Sequence, residues 1–160
     1  MPQIKIPAVY YRGGTPKGIF FKRTDLPAAA QQAGEARDKI LLRVLGSPDP
    51  YGKQIDGLGN ASSSTSKAVI LDKSERADHD IDYLFGQVSI DKPFVDWSGN
   101  CGNLTAAVGA FAIEQGLEKF MLAAKTVFTL IIGKIQWNTP RIIIAGVMVN
   151  GILLKIGKIL

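Results

Sequence analysis

Three short stretches of the chain gather side chains able to move a proton or hold an anion. Asn100, Cys101, Gly102 and Asn103 open an apolar run. If that run is a helix, its first turn offers unpaired amide groups and a partial positive charge, a setting suited to a carboxylate. Gly102 keeps bulk away from it, and Cys101 is placed there to exchange a proton with carbon. Lys67 follows a run of serine and threonine at residues 62–66, and Arg12, Gly13, Gly14 and Thr15 precede Lys17 and Gly18 in a turn flanked by two cations. Each also has a plain explanation. Cys101 and its glycines permit close packing of helix on strand, Lys67 is a surface lysine at a strand start, and Arg12 and Lys17 are solvated loop charges. Residues 13–18 lack the spacing of a nucleotide-binding phosphate loop. His79, between Asp78 and Asp80, reads as a solvated turn rather than a metal ligand.

The elements that must position these residues follow from periodicity. Residues 4–11 and 18–22 are rich in Ile, Val, Tyr and Phe and read as strands around the Arg12–Gly18 turn. Between 26 and 45 the apolar residues recur at helical spacing until Gly46, Ser47 and Pro48 stop the pattern, so this helix packs one face on a sheet. Residues 49–66 hold Pro50, Gly52, Gly57 and Gly59 but few apolar anchors, the mark of a long loop that is functional or disordered. Strands are expected at 67–71 and 81–90, followed by a loop at 96–100. The segment 104–117 is apolar almost all round and predicts a buried helix. Beyond it, β-branched residues favour strands at 127–132 and 142–149, with Asn150 and Gly151 as a hairpin turn.

With 160 residues and 46% hydrophobic composition, the chain can bury the core of one ordinary domain. All 14 acidic residues lie before Lys119, where they offset 13 of the 19 basic ones; the net charge of +5 therefore comes from Lys119, Lys125, Lys134, Arg141, Lys155 and Lys158. These cations are scattered singly among aliphatic residues, so no nucleic-acid or membrane-surface partner is expected. The longest uncharged stretch of the tail, 142–154, is shorter than the roughly 18 apolar residues of a membrane-spanning helix. Nor does the N-terminus have the pattern of a secretory signal, and a cytoplasmic location is the expectation. A single cysteine makes neither an internal disulfide nor a multi-cysteine metal site.

The 100–103 motif, the apolar segment after it, and Tyr83 to Gln87 and Asp91 to Ser98 upstream resemble the first cysteine motif of the 2-methylaconitate isomerase (PrpF) family. Arg12 to Thr15 with Lys17 and Gly18, and 46–57 through Thr65, Ser66 and Lys67, match the same family. The resemblance implies an α+β fold of the diaminopimelate epimerase type, with a mixed or antiparallel sheet wrapped around a central buried helix at about 102–117. It also implies a cofactor-independent isomerase of 2-methylaconitate, acting by proton transfer in propionate catabolism through the methylcitrate cycle. On this reading Lys67 and Cys101 are catalytic, while Arg12, Thr15, Lys17, Ser64, Ser66, Asn100, Gly102 and Asn103 hold a small tricarboxylate.

The reaction explains the residue types. Removing a proton from the carbon next to the double bond yields a dienolate, and returning it at the far end moves the double bond. The loosened central bond also allows cis and trans forms to exchange, either outcome needing no metal or organic cofactor. A base, carboxylate donors and exclusion of water suffice. Departures from the family pattern are Pro16 in place of a serine, which removes a hydroxyl and a backbone donor, and Asn60 in a glycine-rich stretch. The motifs extend to about residue 118 and correspond to the family's N-terminal half. Residues 1–118 are accordingly expected to form an isomerase-like domain and 119–160 a degenerate strand-rich continuation, with the family's second domain absent and a homodimer or partner chain supplying it. Two other readings are a truncated, catalytically incomplete domain that is a binding or assembly module or a degraded remnant, and an amino-acid epimerase or racemase, which the single cysteine disfavours.

Overall fold

The computed structural model describes residues 3–117, 128–130, 145–149 and 152–158. Its elements are strands β1 (Val9–Arg12), β2 (Lys17–Lys22), β3 (Lys67–Lys73), β4 (Ile81–Val88), β5 (Val95–Asp96), β6 (Phe128–Leu130), β7 (Ala145–Val149) and β8 (Ile152–Lys158), with helices α1 (Glu35–Leu45) and α2 (Gly102–Glu114). One mixed sheet runs β1-β2-β3-β4-β8-β7-β6, and β5 pairs with β4. β1 and β2 are antiparallel, β2 and β3 parallel, β3 and β4 antiparallel, and β4 and β8 parallel. The parallel β2–β3 pair requires a crossover, which α1 and the loop after it supply.

Alternation along each strand sends successive side chains to opposite faces of the sheet, and each face carries one helix. Phe20, Val69, Leu71, Ile81, Tyr83 and Phe85 pack against Leu104, Ala107, Val108, Phe111 and Ala112 of α2. Ile19, Phe21, Ala68, Ile70, Leu84 and Val88 pack against Leu41, Leu42 and Leu45 of α1. The two helices differ as their sequences require. α1 buries one stripe, whereas α2 lies against β1 and β2 near one end of the sheet and β7 near the other, so the sheet curves around it. Tyr11, Phe20 and Phe111 form the aromatic centre of the α2 layer, with ring centroids 5.3 to 6.2 Å apart and edge-on or tilted contacts. The α+β reading with a buried central helix describes this architecture.

Helix boundaries depart from the periodicity at one point. The helix expected from residue 26 begins at Glu35, because Pro27 is extended (ψ 142) and residues 28–30 form a separate 3-10 turn before Gly34. Its stop is where expected. Gly46 adopts φ 78, its amide reaching Arg43 O, and Ser47 N bonds Leu42 O at 2.8 Å. The 104–117 helix begins two residues earlier than its apolar run. Strand β8 extends the tail beyond the two strands expected there. β7 and β8 pair antiparallel with Val149 opposite Ile152, a register that calls for a two-residue connection; Asn150 and Gly151 themselves, and the rest of the expected strands 127–132 and 142–149, lie outside the described residues.

The 49–66 loop is built around two side chains. Asp49 accepts from the amides of Tyr51, Lys53 and Gln54 at 2.6 to 2.9 Å, and these donors, Tyr51 first, hold its carboxyl below the usual range. Gln54 is 1% exposed; its amide donates to Ser47 Oγ and Ser66 Oγ and accepts from Ala61 N. Gly57 lies so close to the end of α1 that a β-carbon there would fall 2.1 Å from Gly46 N. Asn60 takes φ 54, a left-handed conformation that asparagine tolerates better than most residues.

Candidate active site

Three loops meet at the N-terminus of α2. Gly13 presses on Asn103, where a β-carbon would stand 2.2 Å from the carbonyl oxygen, so only glycine allows the approach. Gly14 lies beside the Asn103 side chain. Lys17 N donates to Ser64 O at 2.9 Å, tying the Arg12–Gly18 turn to the serine run. Gly18 in turn lies against Lys67 and Leu104. The stretches at 12–18, 64–67 and 100–103, far apart in sequence, therefore form one contiguous rim.

Lys67 begins β3 on the same face as Val69 and Leu71, the face that carries α2. Directly opposite on β4 is Gln87. Lys67 Nζ donates to Gln87 Oε1, and Gln87 Nε2 donates to Ser66 O at 2.8 Å. The amine stands 5.0 Å from the centroid of the Phe85 ring, and Phe85 also borders Gly99. Among the described residues the lysine is held by a neutral amide and an aromatic ring with no carboxylate on its amine, which suits a group that must give and take protons.

Cys101 is a free, half-buried thiol at the N-cap of α2. Its amide donates to Asn100 Oδ1 at 2.9 Å, and its carbonyl receives Thr105 N at 3.2 Å and Tyr83 OH at 3.4 Å. Burial, with Cys101 nearby, pushes the Tyr83 hydroxyl well above its ordinary range and keeps it neutral. No side chain caps α2. Gly102 and Asn103 are exposed, and the space beside Gly102 is open, leaving the first turn accessible to an anion.

The other expected ligands fall into two groups. Thr15 and Arg12 are exposed on the turn, with Arg12 Nε donating to Gly14 O at 2.9 Å. Lys17 pairs with Arg12 across β1 and β2, and alternation puts Lys17 on the side of Ile19 and Phe21, away from α2. Ser66 is fully buried and its hydroxyl is occupied by Val88 O and Gln54, while Ser64 is half-exposed at the rim. Gln87 was given no role by the sequence motifs; only the β3–β4 register exposes its partnership with Lys67. His79 corrects its reading as a solvated turn. It is 5% exposed, with Nε2 3.0 Å from Asp82 Oδ1 and Asp78 Oδ1 2.9 Å from Nδ1, at ion-pair distance but out of hydrogen-bonding alignment. Among the described residues, no group of three His, Cys, Asp or Glu side chains is arranged to hold a metal ion, and no helix is long and apolar enough to cross a membrane.

The sequence model of the PrpF protein family matches residues 3–159. The chain belongs to the PrpF family. That span corrects the expectation that the family resemblance is confined to residues before about 118 and to an N-terminal half. Over 117 residues the chain is 74% identical to the 2-methyl-aconitate isomerase of Cupriavidus necator, covering 73% of this chain and 30% of that protein. The Bacillus subtilis protein YraM is 45% identical over 147 residues, 92% of this chain and 37% of that one. A crystal structure of methylitaconate-delta-isomerase superposes with a TM-score of 0.67 at 50% identity, covering 74% of this chain and 50% of that one. The chain thus spans about a third of the length of the curated relatives it matches.

Proposed function

We propose that the chain forms one wall of the active site of an isomerase that moves the double bond of 2-methylaconitate by proton transfer, with Lys67 as the proton carrier. The observation that carries this reading is the Lys67–Gln87–Ser66 bridge on the α2 face, next to the rim where Gly13 meets Asn103. Similarity to a 2-methyl-aconitate isomerase and to a methylitaconate-delta-isomerase supports it.

In the proposed reaction Lys67 removes the allylic proton. The first-turn amides at residues 102 and 103 donate to a substrate carboxylate, with Asn100, Thr15, Ser64 and Arg12 as further donors. Lys17 contributes charge at the rim, and Ser66 acts indirectly by fixing the loop under Lys67. Cys101 is the proton partner on the other side of the substrate. The substrate carries several negative charges and does not cross membranes unaided, which fits a cytoplasmic site of action. Residues 119–160 are read as a continuation of the same domain, which the pairing of β8 with β4 supports.

The test is double-bond migration of 2-methylaconitate by an enzyme containing this chain. Lys67→Gln should abolish turnover while the circular dichroism spectrum is unchanged; turnover at the parental rate in that variant rules Lys67 out. A second reading, a binding or assembly module completed by a second copy, is favoured by the exposed Tyr51, Ile55 and Leu58, 84%, 82% and 51% accessible. It predicts a concentration-dependent dimer in light scattering, and a monodisperse monomer at high concentration would contradict it.

A further inference from the structure

The face of the sheet opposite Lys67 holds a cleft of about 570 Å³ between α1, β3 and the segment after β5, within the 300–1,000 Å³ range of small-molecule sites. Its walls are mostly apolar, formed in part by Ile70, Leu84, Ala33 and Trp97. Into it projects Arg37, 9% exposed, whose Nε has no hydrogen-bond partner among the described residues. Burial disfavours its charge and lowers its proton affinity, yet a guanidinium remains protonated in proteins. The guanidinium carbon stands 4.0 Å from the Trp97 ring centroid. Trp97 is itself fixed by its indole N–H, which donates to Asp38 Oδ1 at 3.0 Å.

The second cation of the cleft is already matched. Arg23 Nε donates to Asp72 Oδ2 at 2.6 Å and its terminal nitrogen pairs with the same oxygen. Asp72 is thereby neutralised by Arg23, while Asp38, whose charge offsets part of the cost of burying Arg37, gives an oxygen to Trp97 and leaves the Arg37 Nε donor open. A buried cation with an open donor is costly unless an anion completes it. A buried guanidinium with one open donor, against an aromatic plane in a cleft of largely apolar surface, describes a receptor for a single negative charge with a compact apolar body.

We propose that this cleft is a second ligand site that binds a small organic monocarboxylate, its carboxylate on Arg37 and its apolar body against Ile70, Leu84 and the Trp97 edge. It is separate from the Lys67 site, being on the α1 face, and its charge requirement differs from that of a tricarboxylate pocket. The proposal stands or falls independently of the isomerase reading.

Nuclear magnetic resonance titration tests it, with benzoate as probe and benzamide as its neutral counterpart, following the Trp97 indole N–H and Arg37 Nε–H signals. Benzoate should produce saturable shifts at both, and benzamide should bind at least about tenfold more weakly, the loss expected for a charge-assisted bond. Arg37→Met should weaken benzoate by the same factor. Ala33→Glu, at an exposed position of the cleft wall, should do so without disturbing the core, and it carries the test if Arg37→Met does not fold. Equal affinities for benzoate and benzamide, unchanged benzoate binding in Ala33→Glu, or the absence of a saturable shift would each overturn the proposal.

Discussion

Lys67 and Gln87 face each other across the β3–β4 pair, and the Gln87 side chain joins the lysine amine to the backbone oxygen of Ser66. One amide thus sets both the height of Nζ above Phe85 and the path of the serine run. Replacing Gln87 with Leu should leave the fold intact and lower kcat more than it raises KM. Gln87→Glu should move the acidic limb of the pH–rate profile to higher pH, because a carboxylate on Nζ favours the ammonium over the free base. Steady-state kinetics against pH check both, and an unaltered profile in Gln87→Glu would separate Gln87 from proton transfer.

Gly13→Ala should disconnect the Arg12 turn from α2. The new methyl group would collide with the Asn103 backbone, which cannot yield as a flexible side chain does. Displacing the rim by about 1 Å should cost on the order of a hundredfold in turnover, and the strain of the clash should also lower the melting temperature. Activity within a few-fold of the parent would show that the contact is dispensable.

Gln54 is the stability keystone of the loop beneath Lys67. Gln54→Leu strands the hydroxyls of Ser47 and Ser66 and the amide of Ala61, and should destabilise by about 1–3 kcal/mol for a buried unsatisfied group. Urea titration reads the change, and limited proteolysis should cut first within residues 54–61.

Asp49 gives the same loop a pH dependence. Its carboxyl is held below the ordinary value, chiefly by the Tyr51 amide, so its contribution is present above the unfolded-state value and is lost as pH falls through the depressed folded-state value. Asp49→Ala should melt at a lower temperature than the parent at neutral pH. The gap should close at acid pH; a gap that persists there would mean the carboxylate charge is not what orders the loop.

Phe111 tests the core that holds α2 in place. It is 1% exposed and contacts Tyr11 and Phe20, so Phe111→Ala should cost about 3–5 kcal/mol in unfolding free energy. A smaller loss would mean that the α2 layer collapses around the vacancy.

The layers were legible because patterning declares them. Residues 104–113 are apolar almost all round and so had to be buried, and the alternation of Ile81, Tyr83 and Phe85 marked β4. What stayed hidden depends on register and tertiary contact. Gln87 is unremarkable in sequence until β4 pairs with β3. Ser66 resembles a substrate ligand until Gln54 and Val88 occupy its hydroxyl. His79 reads as a solvated turn because its flanking acids look like surface residues, whereas Asp82 on β4 draws the ring inward. Arg37 is one charge on an amphipathic helix, and only the packing of Trp97 reveals it as buried and incompletely partnered.

The most direct measurement of the central claim is deuterium wash-in. An enzyme containing this chain, incubated with 2-methylaconitate in deuterium oxide, should place deuterium at the allylic carbon of recovered substrate and at the far carbon of product, and Lys67→Gln should do neither. Exchange that survives unchanged in Lys67→Gln, with Gln87 and Cys101 in place, would contradict the assignment of proton transfer to Lys67.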